Sequence, residues 1–92
     1  MTCTHTEAIT RPRLTEDEKT GAVCADCVKI GGVWLHLRHC RTCGAVLCCD
    51  DSPNRHARAH ADAEGHPIIT SAEPREIWSY CYVDDEMLPR GT

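Results

Sequence analysis

Residues 40–67, CRTCGAVLCCDDSPNRHARAHADAEGHP, bring four cysteines and three histidines into one short stretch, and nothing else in the chain restricts its fold as strongly. Cys40-Arg41-Thr42-Cys43 is a Cys-x-x-Cys knuckle, and Gly44 behind it is the small residue that lets backbone amides turn toward thiolate sulfurs. Ala45, Val46 and Leu47 form an apolar run ending at Cys48, which predicts a brief buried strand. Ser52-Pro53 reads as a helix N-cap followed by proline at the first helical position, and Gly65 as a stop, so a helix is expected from Pro53 to Glu64. Within it His56 and His60 lie four apart and project from one face, and His66 follows the stop at once. Solvated histidines beside core thiols or disulfides are the plainer alternative. A metal accounts for knuckle, further cysteine and helical His pair together.

The 92 residues make a single domain, whose core is marginal at that size. There is no Phe, and only two Trp and two Tyr, whereas eight cysteines and six histidines stand at metal-ligand spacings. Structural zinc contributes apparent free energies of ~10–16 kcal/mol per site in zinc-finger peptides, comparable to the whole net stability of a small domain. Zinc is therefore expected to be a condition of folding. The start, MTCTHTEAITRPR, has no apolar signal-peptide core, and no later segment approaches transmembrane length. Reduced thiols in a cytoplasm are expected, with no membrane partner. A formal net charge of −4 argues against a nucleic-acid surface.

Along the chain, Cys3-Thr4-His5 offers two donors one residue apart. Thr6 to Val23 carries no candidate ligands and is expected to be a loop, with a short strand around Ile9; Thr15-Glu16-Asp17-Glu18 has the form of a capping box, but no amphipathic run follows, which favours a solvated turn. Cys24-Ala25-Asp26-Cys27 is a second knuckle. After Gly31-Gly32, the alternation of Val33, Leu35 and Leu37 with Trp34, His36 and Arg38 predicts a half-buried strand. His36 and His39 are weaker donor candidates, since a histidine on a strand surface is the commoner case. Ile68-Ile69-Thr70-Ser71 is a further strand and Glu73-Pro74 a turn. Ile77 to Val83 alternates again, with Trp78, Tyr80 and Tyr82 on one face. Such a face is either cross-strand packing or a stacking wall for a peptide. Residues 88–92 are expected to form a frayed tail.

Spacing leaves the grouping of donors open. Cys40-x2-Cys43-x12-His56-x3-His60 satisfies the pattern of a DNA-reading C2H2 finger, but two further cysteines and two aspartates interrupt it in an acidic chain. The two knuckles with Cys48, His56, His60 and His66 make eight donors, enough for two closed tetrahedral sites, and His56 and His60 can share one metal or serve two. Cys3, His5 and Cys81 then leave a third site one donor short, for which Asp84 is the natural candidate.

In that order these motifs resemble the UBP-type (ubiquitin-specific-protease-type) zinc finger, in its small free-standing bacterial members. The resemblance runs from Cys3-Thr4-His5 through both knuckles, Cys48, His56-x3-His60 and Gly65-His66-Pro67 to Trp78 and Cys81-Tyr82-Val83-Asp84. It implies an α+β fold: a small twisted antiparallel sheet, one main helix packed on it, and three interleaved zinc sites. It implies one site from Cys24, Cys27, Cys48 and His56, another from Cys40, Cys43, His60 and His66, and a third joining Cys3 and His5 to Cys81 and Asp84. Asp84 stands where many eukaryotic members have a second cysteine.

Ubiquitin-binding members take a free C-terminal tail into an aromatic pocket with an arginine just after the position of Cys48, in a Cys-Gly-Arg pattern. Here Cys48 is followed by Cys49-Asp50, an anion in place of the carboxylate-pairing cation. Tyr80 and Tyr82 resemble the pocket aromatics. The expected function is a non-catalytic, monomeric, zinc-binding module whose Trp78, Tyr80, Tyr82 and Asp50 face a protein or peptide, with ubiquitin not the expected partner and a basic or amine-bearing one favoured by Asp50 and Asp51. A zinc-linked thiol sensor using Cys49 is the alternative, and a ubiquitin-tail binder a weaker one. Catalysis is not expected, since closed sites leave no open coordination position.

Overall fold

The knuckles and the apolar runs between them organise a five-stranded antiparallel sheet with one principal helix, seen in a computed structural model that describes residues 5–89 and 92. Strands β1 (Leu37–Cys40), β2 (Val46–Cys48), β3 (Ile68–Ser71), β4 (Ser79–Cys81) and β5 (Glu86–Met87) lie in the order β2-β1-β3-β4-β5. Leu37 stands opposite Cys48, Cys40 opposite Ile69, and Ile68 opposite Cys81, so the register sets cysteines beside the few large aliphatic residues. The helices are α1 (Glu16–Thr20), α2 (Ala25–Ile30) and α3 (His56–Glu64), with a 3-10 turn at His5–Ala8. Helix α3 packs on β1 and β2, and α2 on β2.

The core is two small clusters. Leu37, Leu47, Ala57 and Ala72 surround Cys24, Cys27 and Cys48, while Ile68 and Leu88 surround Cys81. Cysteine is the commonest fully buried side chain, as expected of a chain without Phe. No helix among the described residues is long and apolar enough to cross a membrane.

Several local expectations are corrected. Helix α3 begins at His56, not Pro53: Ser52 is no cap, because its hydroxyl accepts from the Leu35 amide at 2.9 Å. Arg55 holds the N-cap position in a left-handed conformation (φ 46), and the His56 amide donates to Cys48 Sγ at 3.1 Å. A sulfur thus meets one of the amides that a helix start leaves without a partner.

The capping box is real. Thr15 Oγ1 accepts from Glu18 N while Glu18 Oε1 accepts from Thr15 N, opening α1 where a solvated turn was expected. Lys19 anchors it, buried, with Nζ on Glu16 Oε2 (2.9 Å) and the Glu76 carbonyl (2.6 Å).

The strand expected over 33–38 forms only from Leu37, leaving Val33 and Leu35 exposed, because the Leu35 amide is committed to Ser52 rather than to a neighbouring strand. The strand expected over 77–83 shortens to Ser79–Cys81, with Ile77 and Val83 exposed. Ile9 lies in no strand but packs beside Ile68, Cys81 and Leu88. Leu88, placed by expectation in a frayed tail, is buried and donates its amide to Ser79, and the Thr92 carbonyl accepts from Arg41.

Candidate metal centres and an aromatic groove

Three groups of donors converge. The first gathers Cys24, the N-cap residue of α2, with Cys27 in its first turn, Cys48 at the end of β2 and His56 at the start of α3. His56 Nδ1 lies 3.4, 3.3 and 3.6 Å from the sulfurs of Cys24, Cys27 and Cys48, and the Cys27 and Cys48 sulfurs are 3.9 Å apart. One ring nitrogen cannot serve three sulfurs by hydrogen bonding. A tetrahedral zinc with the usual bond lengths sets S–N and S–S edges of about 3.5–3.8 Å, so the donor set fits that ion.

The second group is Cys40, Cys43, His60 and His66. Cys40 ends β1, and Gly44, at φ +84, makes the turn that brings the chain back into β2, with the Ala45 carbonyl accepting from Cys40 N. Gly65, at φ +68, ends α3 so that His66 Nδ1 folds back to 3.1 Å from His60 Nε2. Cys40 Sγ is 3.5 Å from His66 Nδ1 and Cys43 Sγ 3.3 Å from His60 Nε2. The two histidines on one face of α3 therefore serve different groups, and the C2H2 arrangement compatible with the spacing does not form.

The third group is His5, Cys81 and Asp84, with His5 Nδ1 3.1 Å from Asp84 Oδ2 and 3.5 Å from Cys81 Sγ. Cys3, the fourth expected donor, lies outside the described residues.

Sulfur environments suit thiolates held by a cation. Backbone amides donate to Cys24 Sγ (from Cys27) and Cys81 Sγ (from Asp84), and Asn54 Nδ2 to Cys27 Sγ. Without a cation, burial followed by the neighbouring Cys24 thiol pushes Cys27 up to about 11, and burial also raises Cys40. Metal uptake must therefore displace protons.

Neither weaker histidine candidate joins a group. His36 is exposed. His39 is buried with Nδ1 unpartnered, and burial together with the Arg41 charge lowers its pKa.

Trp78, Tyr80 and Tyr82 do share a surface. They line an open groove of about 270 Å³ with Arg38, Asp50, Asp51, Arg58 and Met87. Arg38, Arg58 and Met87 were not assigned to this surface from the sequence, and the two arginines change its character. Arg38 from β1 lies 4.5 Å over the Trp78 ring, and Arg58 from α3 lies 4.5 Å over Tyr82. Arg58 also grips Asp50, Nε to both carboxylate oxygens at 3.1 and 2.9 Å and Nη2 to Oδ2 at 2.8 Å. Their signal was faint: Arg58 is two residues after His56, a half turn away from the donor face. Burial, and then the Asp50 carboxylate, push Tyr82 up to about 12. Cys49 sits in the groove wall but is only 2 % exposed, its Sγ 3.4 Å from Ser52 Oγ.

Compared with known proteins, residues 24–91 match the profile of a family described as the Zn-finger in ubiquitin-hydrolases and other protein. The solution NMR structure of protein RPA1320 from Rhodopseudomonas palustris is 44% identical and superimposes with a TM-score of 0.75, the match covering 100% of this chain and 92% of that one. No curated protein matches significantly.

Proposed function

This chain belongs to the family of Zn-fingers found in ubiquitin hydrolases and other proteins, and on that premise we propose that it is a non-catalytic, zinc-stabilised module that engages a protein or peptide through its aromatic groove. The observation that carries this reading is the convergence of three donor groups. Cys24, Cys27, Cys48 and His56 hold one zinc, Cys40, Cys43, His60 and His66 a second, and Cys3, His5, Cys81 and Asp84 a third. Bound zinc neutralises the thiolates and cross-links the chain. Four protein donors leave no open position for a substrate or activated water, so the zinc serves structure. The module works as a monomer in a reducing cytoplasm, where thiolates persist.

Elemental analysis tests the zinc assignment: three zincs per chain in the wild type and two in Asp84→Ala, both folded by circular dichroism, is the expected result. Two in both proteins would remove the third site. For the groove, a partner retained by wild type and released by the Tyr80→Ala, Tyr82→Ala variant at unchanged zinc content is expected. Equal retention counts against it.

Ubiquitin is not the expected partner. Asp50 stands where the resemblance calls for a carboxylate-pairing arginine, and Arg58, the nearest substitute, is already held by that carboxylate. Titration with intact and tail-truncated ubiquitin checks this; a saturable micromolar response to the intact form alone would overturn it. Cys49 is poorly placed for thiol sensing, because a sensor thiol must be reached by its oxidant and this one is buried.

A further inference from the structure

The two walls of the groove are anchored in different ways. One carries Asp50, two residues after Cys48, and Arg58, which lies between His56 and His60 on α3, so donors of the first and second groups bracket it. The other wall is the hairpin of β4 and β5, which supplies Tyr80, Tyr82 and Met87. It stands at the edge of the sheet, where β5 has two residues and pairs only with β4. Along this hairpin, donors of the third group alternate with groove residues. Cys81 is fully buried between Tyr80 and Tyr82, because successive side chains of a strand take opposite faces. Asp84 lies in the turn, its amide donating to Cys81 Sγ at 3.5 Å, and Asp85 beside it accepts from the Tyr80 hydroxyl. The remaining described donor, His5, comes from the 3-10 turn packed on β3.

We propose that the third group is a regulatory metal site: zinc held there fixes the tyrosine wall of the groove, and its loss slackens that wall while the other two centres keep the rest of the fold. This rests on the reading of the third group as a metal centre. Its described donors fit the ion. His5 Nδ1 is 3.5 Å from Cys81 Sγ and 3.1 Å from Asp84 Oδ2, and those two atoms are 4.0 Å apart. Tetrahedral zinc sets such edges at about 3.3–3.6 Å. The position also suits exchange. The His5 and Asp84 side chains are 34% and 35% exposed, whereas Cys24, Cys27 and Cys48 of the first group are at 0%. A carboxylate is moreover a hard donor, less suited to zinc than thiolate or imidazole. An empty site unties the hairpin from the His5 turn and removes the clamp between Cys81 and Asp84. Asp85 stands in that turn in a left-handed conformation (φ 53), which a non-glycine residue holds only where its surroundings impose it. A relaxed turn therefore carries the Tyr80 ring with it through the Asp85 carboxylate.

The test removes the metal from outside the hairpin. His5→Ala deletes a donor 76 positions from Cys81 and leaves every hairpin residue in place, and Asp84→Ala deletes one within the turn. Native mass spectrometry gives zinc per chain, and NMR gives amide exchange at Tyr82 and Leu88, whose amides donate to the Pro67 and Ser79 carbonyls. Both variants are expected to hold one zinc fewer than wild type. Those two amides are expected to exchange ten-fold or more faster, with the Tyr80 and Tyr82 ring resonances displaced, while amides of β1 and α3 keep wild-type rates. Titrating zinc-loaded wild type with a chelator is expected to give the same response at the first zinc lost. A hairpin unchanged in His5→Ala despite the missing zinc overturns control of the groove alone, whatever Asp84→Ala does. Unchanged zinc content in His5→Ala overturns the third centre and the inference with it. Unfolding of the whole chain in His5→Ala, or a response of β1 and α3 at the first zinc lost, also overturns the inference, because the site would then not act on one wall.

Discussion

Arg41 shows how much one side chain decides. It is 6% exposed, and its guanidinium donates to the Arg11 carbonyl (2.8 Å), Thr70 Oγ1 (2.8 Å) and the Thr92 carbonyl (2.6 Å), while its own carbonyl accepts from Thr10 and Arg11. Residues far apart in the chain meet on one buried charge. Arg41→Met is expected to cost about 2–4 kcal/mol in denaturant unfolding, and Arg41→Lys less, because lysine keeps the charge but loses the fork. At Gly44 the penalty is of another kind. An added Cβ would meet only ordinary contacts, the Arg11 side chain at 3.7 Å being nearest, so Gly44→Ala carries just the strain of φ +84, about 1–2 kcal/mol. His39 sets a pH dependence. Its folded pKa lies below the ordinary 6.5, from burial first and Arg41 second, with Arg11 also opposing and Glu18 favouring its charge. The unfolded chain then takes up a proton first as pH falls, so the contribution is complete above 6.5 and is lost on acidification toward the lower folded pKa. His39→Phe is expected to lose stability less steeply than wild type as the pH falls below 6.5, measured by denaturant unfolding across that range.

At the scale of elements, α3 is the cross-piece. His56 and His60 are one turn apart, yet the end of β2 meets the helix start and the return at Gly65 meets its end, so each histidine joins a different group. If zinc occupies both groups, His56→Ala and His60→Ala each lower the zinc content by one, and the double variant lowers it by two. A shared site would give a loss of one in all three. Helix α1 has only five residues, too few to persist alone, and depends on its capping box and on buried Lys19. Lys19→Met is expected to release this segment, seen as faster amide exchange over Glu16–Thr20 than over β1.

For the whole molecule, the apolar clusters are small and four of their ten buried residues are cysteines, so a metal held by the donor groups is expected to supply the missing bulk. At ~10–16 kcal/mol per structural site, loss of a single zinc rivals the total stability of a domain this size. A strong chelator at neutral pH is expected to abolish the near-ultraviolet dichroism, and zinc to restore it with release of protons detectable by an indicator dye. Retention of the fold after complete metal removal would contradict this.

The chain itself carried the chemistry in readable form: Cys-x-x-Cys knuckles, helical histidines and an alternating aromatic run are local patterns, and local patterns survive in one dimension. The strand β3, the end of α3 and the common surface of Trp78, Tyr80 and Tyr82 followed from them, and the α+β class from the family resemblance that their order carries. Tertiary structure decided the rest. The start of α3 moved because Ser52 found a better use at Leu35, and the strand expected over 33–38 shrank for the same reason. Donor spacing was compatible with several groupings, and the sheet register chose among them. No local pattern in the chain announces that Arg38 and Arg58 reach the groove from β1 and α3, because a charge has meaning only beside the partner that the fold brings to it.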